Sequence, residues 1–117
     1  MHLEGPFISS VRKGAHRVSE IRPPDESELE ALLDAGHVSM VAFAPELDGA
    51  EALASLLRRR GVAMVAGHTD ATWEQMDAAV QWGVRSVTHA FNGMRGLHHR
   101  EPGTVGAALL RPEIVAE

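Results

Sequence analysis

The sequence lacks the features that mark several common classes of protein. It has no cysteine, which excludes disulfides and chemistry that depends on a thiolate. The only dense basic cluster, Arg58-Arg59-Arg60, ends a predicted helix, where cations meet the negative end of the helix dipole, so no nucleic-acid surface is expected. No apolar run reaches the roughly 18 residues of a membrane span, and Glu4 and Gly5 interrupt any signal-peptide pattern. A cytoplasmic protein with neither nucleic-acid nor membrane partners is therefore expected.

Histidine, in contrast, is unusually frequent. The chain has 7 histidines among 117 residues, with 11 Lys and Arg and 16 Asp and Glu that give a net charge of −5. Apolar residues make up 44% of the chain, which is enough for one core, and residues 1–117 are expected to form a single segment. Many histidines without cysteine, together with scattered carboxylates, indicate metal binding or acid–base chemistry. Composition alone does not decide between the two.

Short apolar runs alternate with helical patterns along the chain. Runs of this kind predict strands that are buried on both faces, as in parallel sheets. The predicted strands cover residues 38–44, 62–66 and 84–91, and residues 2–7 resemble the end of another. Helices are predicted at residues 26–35 and 50–60, and after the capping box Thr72-Trp73-Glu74-Gln75. The order β-α-β-α-β-α-β predicts an α/β fold with a parallel sheet.

Two architectures fit this order of elements, an open doubly wound sheet and part of a (β/α)8 barrel. A nucleotide-binding doubly wound sheet usually has a Gly-rich phosphate loop after its first strand, and none is present here. A complete barrel needs about 250 residues, so this chain would form about half of a TIM-type barrel. Such a half-barrel exposes two sheet edges and should be unstable unless it pairs with something.

Three potential metal ligands lie at the predicted ends of strands: Glu4, His68 and His89. Because the carboxyl ends of parallel strands open onto one face, these side chains could converge there although they are distant in sequence. Two imidazoles and one carboxylate suit a divalent metal such as zinc or iron(II). The alternative is a loop carboxylate and two ordinary polar histidines, and spacing alone does not decide.

Five segments, in order along the chain, carry a resemblance to a known family. They are His2-Leu3-Glu4-Gly5-Pro6-Phe7, Lys13-Gly14-Ala15-His16, Gly67-His68-Thr69-Asp70-Ala71, Thr88-His89-Ala90-Phe91-Asn92-Gly93-Met94 and Leu97-His98-His99-Arg100-Glu101-Pro102-Gly103. Together they resemble N-acetylglucosamine-6-phosphate deacetylase, a metal-dependent amidohydrolase. The segments cover nearly the whole chain, which would correspond to about the middle third of a full-length member.

The resemblance implies a reaction and a metal site. Glu4, His68 and His89 correspond to the residues that bind the catalytic divalent metal, expected to be zinc or iron(II). A water activated by that metal would hydrolyse the acetamide of N-acetylglucosamine 6-phosphate to glucosamine 6-phosphate and acetate. The family's general base, an aspartate, would lie beyond Glu117, so no catalytic residue is expected within this chain. In some members an early strand supplies a histidine pair for a second metal, and that strand would precede Met1.

The resemblance also implies contacts with a phosphorylated amino sugar. His16 resembles a residue that contacts substrate, and Asn92 with the backbone of Gly93 resembles a turn that holds the sugar phosphate. The family often has alanine in place of Gly93, a change expected to be harmless if only the backbone N–H is used. Arg100 resembles an arginine that reaches the substrate phosphate of a neighbouring subunit, which implies a homodimer. As alternatives, His16 and Arg100 would be solvated loop residues.

Two other functions remain open at this point. One is a metal-dependent amidohydrolase that acts on another amide, and the other is a non-catalytic metal-binding or assembly segment. Two further carboxylates have no clear assignment from sequence. Asp70 would either support His68 or cap the following helix. Glu46, at the end of a predicted strand, would either line the site or be a solvated loop charge, and the second is the prediction.

Overall fold

Strands and helices alternate along the whole chain, and the computed structural model describes every residue from Met1 to Glu117. The five strands are β1 (His2–Glu4), β2 (Met40–Phe43), β3 (Ala63–Ala66), β4 (Ser86–Val87) and β5 (Val115–Ala116). The four α-helices are α1 (Glu26–Asp34), α2 (Ala50–Arg59), α3 (Trp73–Trp82) and α4 (Gly103–Leu110). Two short 3₁₀ turns, Ser10–Arg12 and Val18–Glu20, lie between β1 and α1.

The strands form one parallel sheet in the order β1-β2-β3-β4-β5, so each strand pairs with the next one along the chain. Leu3 lies opposite Val41, Val41 opposite Met64, and Val65 opposite Ser86. A doubly wound sheet reverses its strand order at one point, whereas this sheet continues in one direction, as a barrel does. The predicted α/β fold is confirmed, and the chain forms about half of a (β/α)8 TIM-type barrel.

The helices cover the sheet with the apolar faces that their sequence patterns predict. Leu53, Leu56 and Leu57 of α2 are buried, and α3 buries three residues at the same spacing. The predicted capping box at the start of α3 is present, with Thr72 and Gln75 exchanging side-chain and backbone hydrogen bonds. Burying one leucine stabilises the fold by about 1.5–3 kcal/mol, so these faces fix the positions of the strand ends.

The carboxyl-terminal elements differ from the sequence prediction. The predicted strand over residues 84–91 is only two residues long, because the chain turns at Thr88 and His89. Helix α4 and strand β5 are not predicted at all. The N-cap residue of α4, Pro102, makes no capping hydrogen bond with its side chain. Instead, the carboxylate of Glu101 accepts a hydrogen bond from the Gly103 N–H at 2.9 Å. The usual start signal of a helix is therefore missing from the sequence.

Each end of the sheet has an unpaired edge. β1 pairs only with β2, and β5 pairs only with β4. The exposed apolar side chains near the second edge include Leu109, Leu110 and Val115. The two open edges and the apolar surface are those that half of a barrel is expected to expose. None of the helices has the length and apolar character needed to cross a membrane.

Candidate metal centre

Glu4, His68 and His89 lie together at the carboxyl edge of the sheet. Glu4 is the last residue of β1, and each histidine comes two residues after the end of its strand, β3 or β4. Both histidines have a left-handed backbone, with φ of 45° at His68 and 38° at His89. That conformation costs a residue other than glycine on the order of 1–3 kcal/mol, and such strain is concentrated at functional sites. The same sharp turn after two neighbouring strands brings both imidazole rings to Glu4.

Hydrogen bonds to backbone carbonyls favour one tautomer of each neutral ring. Nε2 of His68 lies 2.9 Å from Oε1 of Glu4, and Nε2 of His89 lies 3.0 Å from the same oxygen. Nδ1 of each ring lies 2.9 Å from a backbone carbonyl oxygen, that of Arg12 for His68 and that of Asn92 for His89. Because a carbonyl oxygen only accepts, Nδ1 donates in both cases. In the neutral rings, Nε2 is therefore unprotonated and directs its lone pair at Glu4.

These donor atoms fit a divalent cation. Two imidazole lone pairs and a carboxylate oxygen repel one another unless a cation or added protons compensate them. Zinc binds nitrogen and carboxylate oxygen at about 2.0–2.2 Å, which places tetrahedral ligand atoms roughly 3.3 Å apart. The observed separations of 2.9 and 3.0 Å are close to that spacing. A hydrogen bond from Nδ1 to a carbonyl is also a usual way of orienting metal-binding histidines.

The environment of Glu4 favours the ionised form that a metal requires. Burial alone would raise the pKa of Glu4, but when the rings of His68 and His89 are protonated on both nitrogens, their Nε2–H groups donate to its carboxylate and hold the pKa below its ordinary value of 4.5. The Glu4 side chain is 42% exposed, whereas that of His68 is 9% exposed. The site is thus open to solvent on the Glu4 side and closed behind His68.

His16 lies beside this cluster. Its ring meets the ring of His68 edge-on, with 4.6 Å between the ring centroids. One ligand atom from each of Glu4, His16 and His68 lies within 4.8 Å of the others. An open cavity of about 420 Å³ adjoins them and is lined by Glu4, Ala15, His16, Arg17 and Glu20. A small polar ligand in this cavity would contact His16 and Glu4 together.

The other predicted binding residues lie on the loop after β4. Asn92 is exposed, and its carbonyl accepts the hydrogen bond from His89. The carbonyl of Gly93 accepts a hydrogen bond from the Thr69 N–H at 3.1 Å. Arg100 is exposed farther along the same loop. The structure thus brings Asn92 and Gly93 next to the histidines and places Arg100 on the surface, where another molecule can reach it.

Gly93 has a steric role that the sequence does not reveal. Its φ is +56°, and a Cβ on Gly93 would lie 2.9 Å from Nδ1 of His68. Alanine would keep the backbone N–H of this position, so the change is harmless for that contact alone. An alanine would also press on the ring of His68, so the neighbouring side chain would have to move.

Asp70 does not cap a helix, because Thr72 is the N-cap residue of α3. The Asp70 carboxylate instead accepts hydrogen bonds from Nε of Arg12 and from an amino group of Arg95, both at 2.7 Å. The hydrogen bond from Arg95 lowers the pKa of Asp70 most, and Arg12 lowers it further, whereas burial raises it. The net effect holds the pKa below its ordinary value of 3.8. The sequence could not reveal these partners, because they come from loops after two other strands.

Glu46 is also more than a solvated loop charge, so that prediction was wrong. Its carboxylate accepts hydrogen bonds from the hydroxyl of Thr69 and, at 2.6 Å, from the N–H of Asp70. Glu46 follows β2, and its position at the end of a strand was the only signal for this role in the sequence. Glu46 therefore supports the backbone that follows His68.

Fold and site together define the class of the chain: a segment of a (β/α)8-barrel protein with a histidine–carboxylate cluster at the carboxyl ends of its strands. No protein-family model matches the chain. The N-acetylglucosamine-6-phosphate deacetylase of Vibrio furnissii is 42% identical over 99% of this chain and 30% of the relative. The N-acetylgalactosamine-6-phosphate deacetylase of Escherichia coli O157:H7 is also 42% identical, over 92% of this chain and 29% of the relative.

Solved structures give the same result. The crystal structure of N-acetyl-D-glucosamine-6-phosphate deacetylase from Mycobacterium smegmatis matches 98% of this chain and 31% of that chain, with a TM-score of 0.94 and 44% sequence identity. The chain is thus homologous to the N-acetylglucosamine-6-phosphate deacetylases, and the resemblance predicted from its motifs is confirmed. It spans about 30% of the length of these relatives.

Proposed function

We propose that this chain contributes the metal-binding part of an enzyme that hydrolyses the acetamide of N-acetylglucosamine 6-phosphate to glucosamine 6-phosphate and acetate. The observation that carries the proposal is the pair of histidines whose Nε2 atoms face one oxygen of Glu4, at 2.9 and 3.0 Å. Similarity to the deacetylases supports the substrate class. Because the chain spans about 30% of those relatives, the activity is proposed for the complete natural protein.

Each residue of the site has a proposed role. Glu4, His68 and His89 would hold one divalent ion, zinc or iron(II). Such an ion, when bound, polarises an amide carbonyl and makes water a stronger nucleophile. His16, on the wall of the adjoining cavity, would donate a hydrogen bond to the acetamide carbonyl. An aspartate beyond Glu117 would take a proton from water and pass it to the amine as the C–N bond breaks.

The phosphate of the substrate would be bound by the loop after β4. Asn92 and the backbone of Gly93 lie next to the histidines, and Arg100 is exposed on the same loop. A guanidinium binds phosphate through two parallel hydrogen bonds, which suits Arg100 for contact with substrate in a neighbouring subunit of a homodimer.

Arg100→Ala should raise the KM for the phosphorylated sugar about tenfold or more, since a hydrogen bond to a charged group contributes about 1.5–3 kcal/mol. Arg58→Ala, at the far end of α2, is the matched control and should leave KM unchanged.

A second substrate is favoured by a specific observation. The Escherichia coli relative, named as an N-acetylgalactosamine-6-phosphate deacetylase, is as similar to this chain as the Vibrio relative is. The two sugars share the acetamide and the phosphate, and they differ only in the configuration of one hydroxyl group. The cluster of Glu4 and the two histidines would serve either substrate, so the hydroxyl must be distinguished elsewhere.

Acetate release by the complete natural protein tests the proposal. We expect hydrolysis of N-acetylglucosamine 6-phosphate that depends on added zinc or iron(II), with lower kcat/KM for the galactosamine isomer and for unphosphorylated N-acetylglucosamine. The isolated 117-residue chain should show little or no turnover, because the proposed general base lies outside it. Preference for the galactosamine isomer would make N-acetylgalactosamine 6-phosphate the natural substrate. Hydrolysis of an unrelated amide would indicate a different amidohydrolase. Metal binding without any hydrolysis would leave only a metal-binding segment.

A further inference from the structure

We infer that the ion pair between Arg12 and Asp70 is a positioning device that fixes the ring of His68 for cation binding. The inference rests on the proposed metal site and adds residues to which that site assigns no role. Arg12 and Asp70 do not line the cavity beside Glu4; Arg12 reaches the site through its carbonyl, which binds the ring of His68.

The loop after β1 holds His68 at two points. The N–H of Ser9 donates to the carbonyl of His68 at 2.8 Å, and Nδ1 of His68 donates to the carbonyl of Arg12 at 2.9 Å. Arg12 ends the 3₁₀ turn Ser10–Arg12, in which its N–H donates to the carbonyl of Ser9 at 3.1 Å. Both the backbone and the ring of His68 therefore depend on where this short turn lies.

The side chain of Arg12 links the turn back to the segment that carries His68. Nε of Arg12 donates to Oδ1 of Asp70 at 2.7 Å, and Asp70 is only two residues after His68. The carbonyl that binds the ring of His68 is thus tied to the backbone that carries His68. If the ion pair is lost, the carbonyl of Arg12 is free to move away, and Nδ1 loses the acceptor that keeps its proton in place.

Asp70 also connects the third loop of the site. Its other oxygen, Oδ2, accepts a hydrogen bond from Arg95 at 2.7 Å, and Arg95 lies on the loop after β4 that carries His89 and Gly93. One carboxylate therefore joins the loops after β1, β3 and β4, the strands that supply the three proposed ligands. The three side chains are only 27–35% exposed, so the ion pairs are partly shielded from solvent.

Zinc affinity and the ring state of His68 test this inference in the complete natural protein. We expect Asp70→Asn and Arg12→Leu to weaken zinc binding 10–100-fold, the usual effect of removing a group that orients a metal ligand. Arg12→Lys keeps the positive charge, so it should weaken zinc binding less than Arg12→Leu does. Asp34→Asn removes an ion pair with Arg60 on the surface, far from the site, and should leave zinc affinity unchanged. Competition with a chelator of known affinity measures the dissociation constants.

A second readout separates positioning from general stability. Nitrogen-15 NMR of the metal-free protein should show His68 protonated on Nδ1 in the wild type and a mixture of tautomers in Asp70→Asn and Arg12→Leu, with His89 unchanged. Wild-type zinc affinity in both variants, or weaker binding with the His68 tautomer intact, would overturn the inference and leave the proposed function standing. A wild-type protein that binds no zinc at all would overturn the metal site and the inference together.

Discussion

At the scale of single residues, the site depends on two histidines with a backbone conformation that most residues avoid. His68 and His89 each follow a strand by two residues and turn with positive φ, and each ring donates from Nδ1 to a backbone carbonyl. The two histidines thus reach Glu4 by the same local geometry repeated on neighbouring strands. This repetition explains how one oxygen of Glu4 comes to face the Nε2 atoms of both rings.

The positions of these three residues could be predicted from sequence, whereas their orientation could not. A polar residue at the end of a buried run indicates the carboxyl edge of a parallel sheet, and that rule found Glu4, His68 and His89. The proton on Nδ1 depends on carbonyls from Arg12 and Asn92. The first of these lies 56 residues away along the chain, and no local pattern connects a side chain with so distant a backbone atom.

Asp70 leads to a prediction for stability in acid. Since its pKa is lowered in the folded state, chiefly by Arg95, the carboxylate contributes stability above its ordinary value of 3.8 and loses it as pH falls through the lower folded value. Asp70→Asn should therefore lower the free energy of unfolding near neutral pH, and the difference from wild type should shrink in acid. Urea unfolding from about pH 7 to about pH 3 measures this. A difference that stays constant with pH would show that the charge of Asp70 contributes nothing.

At the scale of secondary structure, helices with clear apolar faces were predicted and irregular ones were not. The spacing of leucines in α1 and α2, and the capping box of α3, located those helices to within one or two residues. α4 has two glycines and no capping side chain at its N-cap, so its sequence lacks the helical signals. It forms because the tertiary structure buries Thr104, Val105 and Ala107, which local propensity cannot reveal.

The contact between β3 and β4 gives a prediction at this scale. A Cβ on Gly67 would lie 2.6 Å from Cγ2 of Thr88, so Gly67→Ala should push the two strand ends apart. Overpacking of this kind costs about 1–3 kcal/mol, and it should also weaken metal binding because Gly67 precedes His68. Thr88→Ser removes the obstructing methyl group, so the double variant should recover most of the loss.

The free energies of unfolding of the wild type, the two single variants and the double variant form a complete cycle. Recovery in the double variant would assign the effect of Gly67→Ala to this one contact. A double variant no more stable than Gly67→Ala alone would contradict the steric explanation.

At the scale of the whole molecule, the sheet has two open edges and an apolar surface near one of them. Leu109, Leu110 and Val115 are 61%, 69% and 65% exposed, and β5 has no partner on its outer side. Unpaired strand edges with exposed apolar residues tend to associate with other chains. These features agree with a chain that spans about 30% of the length of its relatives.

The isolated 117-residue chain is therefore expected to self-associate. Val115→Lys places a charge on the open edge strand and should reduce the association. Val11→Lys, on the 3₁₀ turn after β1, changes another exposed valine away from that edge and serves as the control. Sedimentation velocity of the three proteins measures the effect. A monomeric wild-type chain would show that the exposed edges need no partner.

The central claim is that Glu4, His68 and His89 hold one divalent cation. Anomalous diffraction at the zinc absorption edge, from crystals of the complete natural protein grown with zinc, tests it most directly. We predict one strong peak about 2.0–2.2 Å from a carboxylate oxygen of Glu4 and from Nε2 of both histidines. A zinc-loaded protein whose peak lies away from these three side chains would contradict the account.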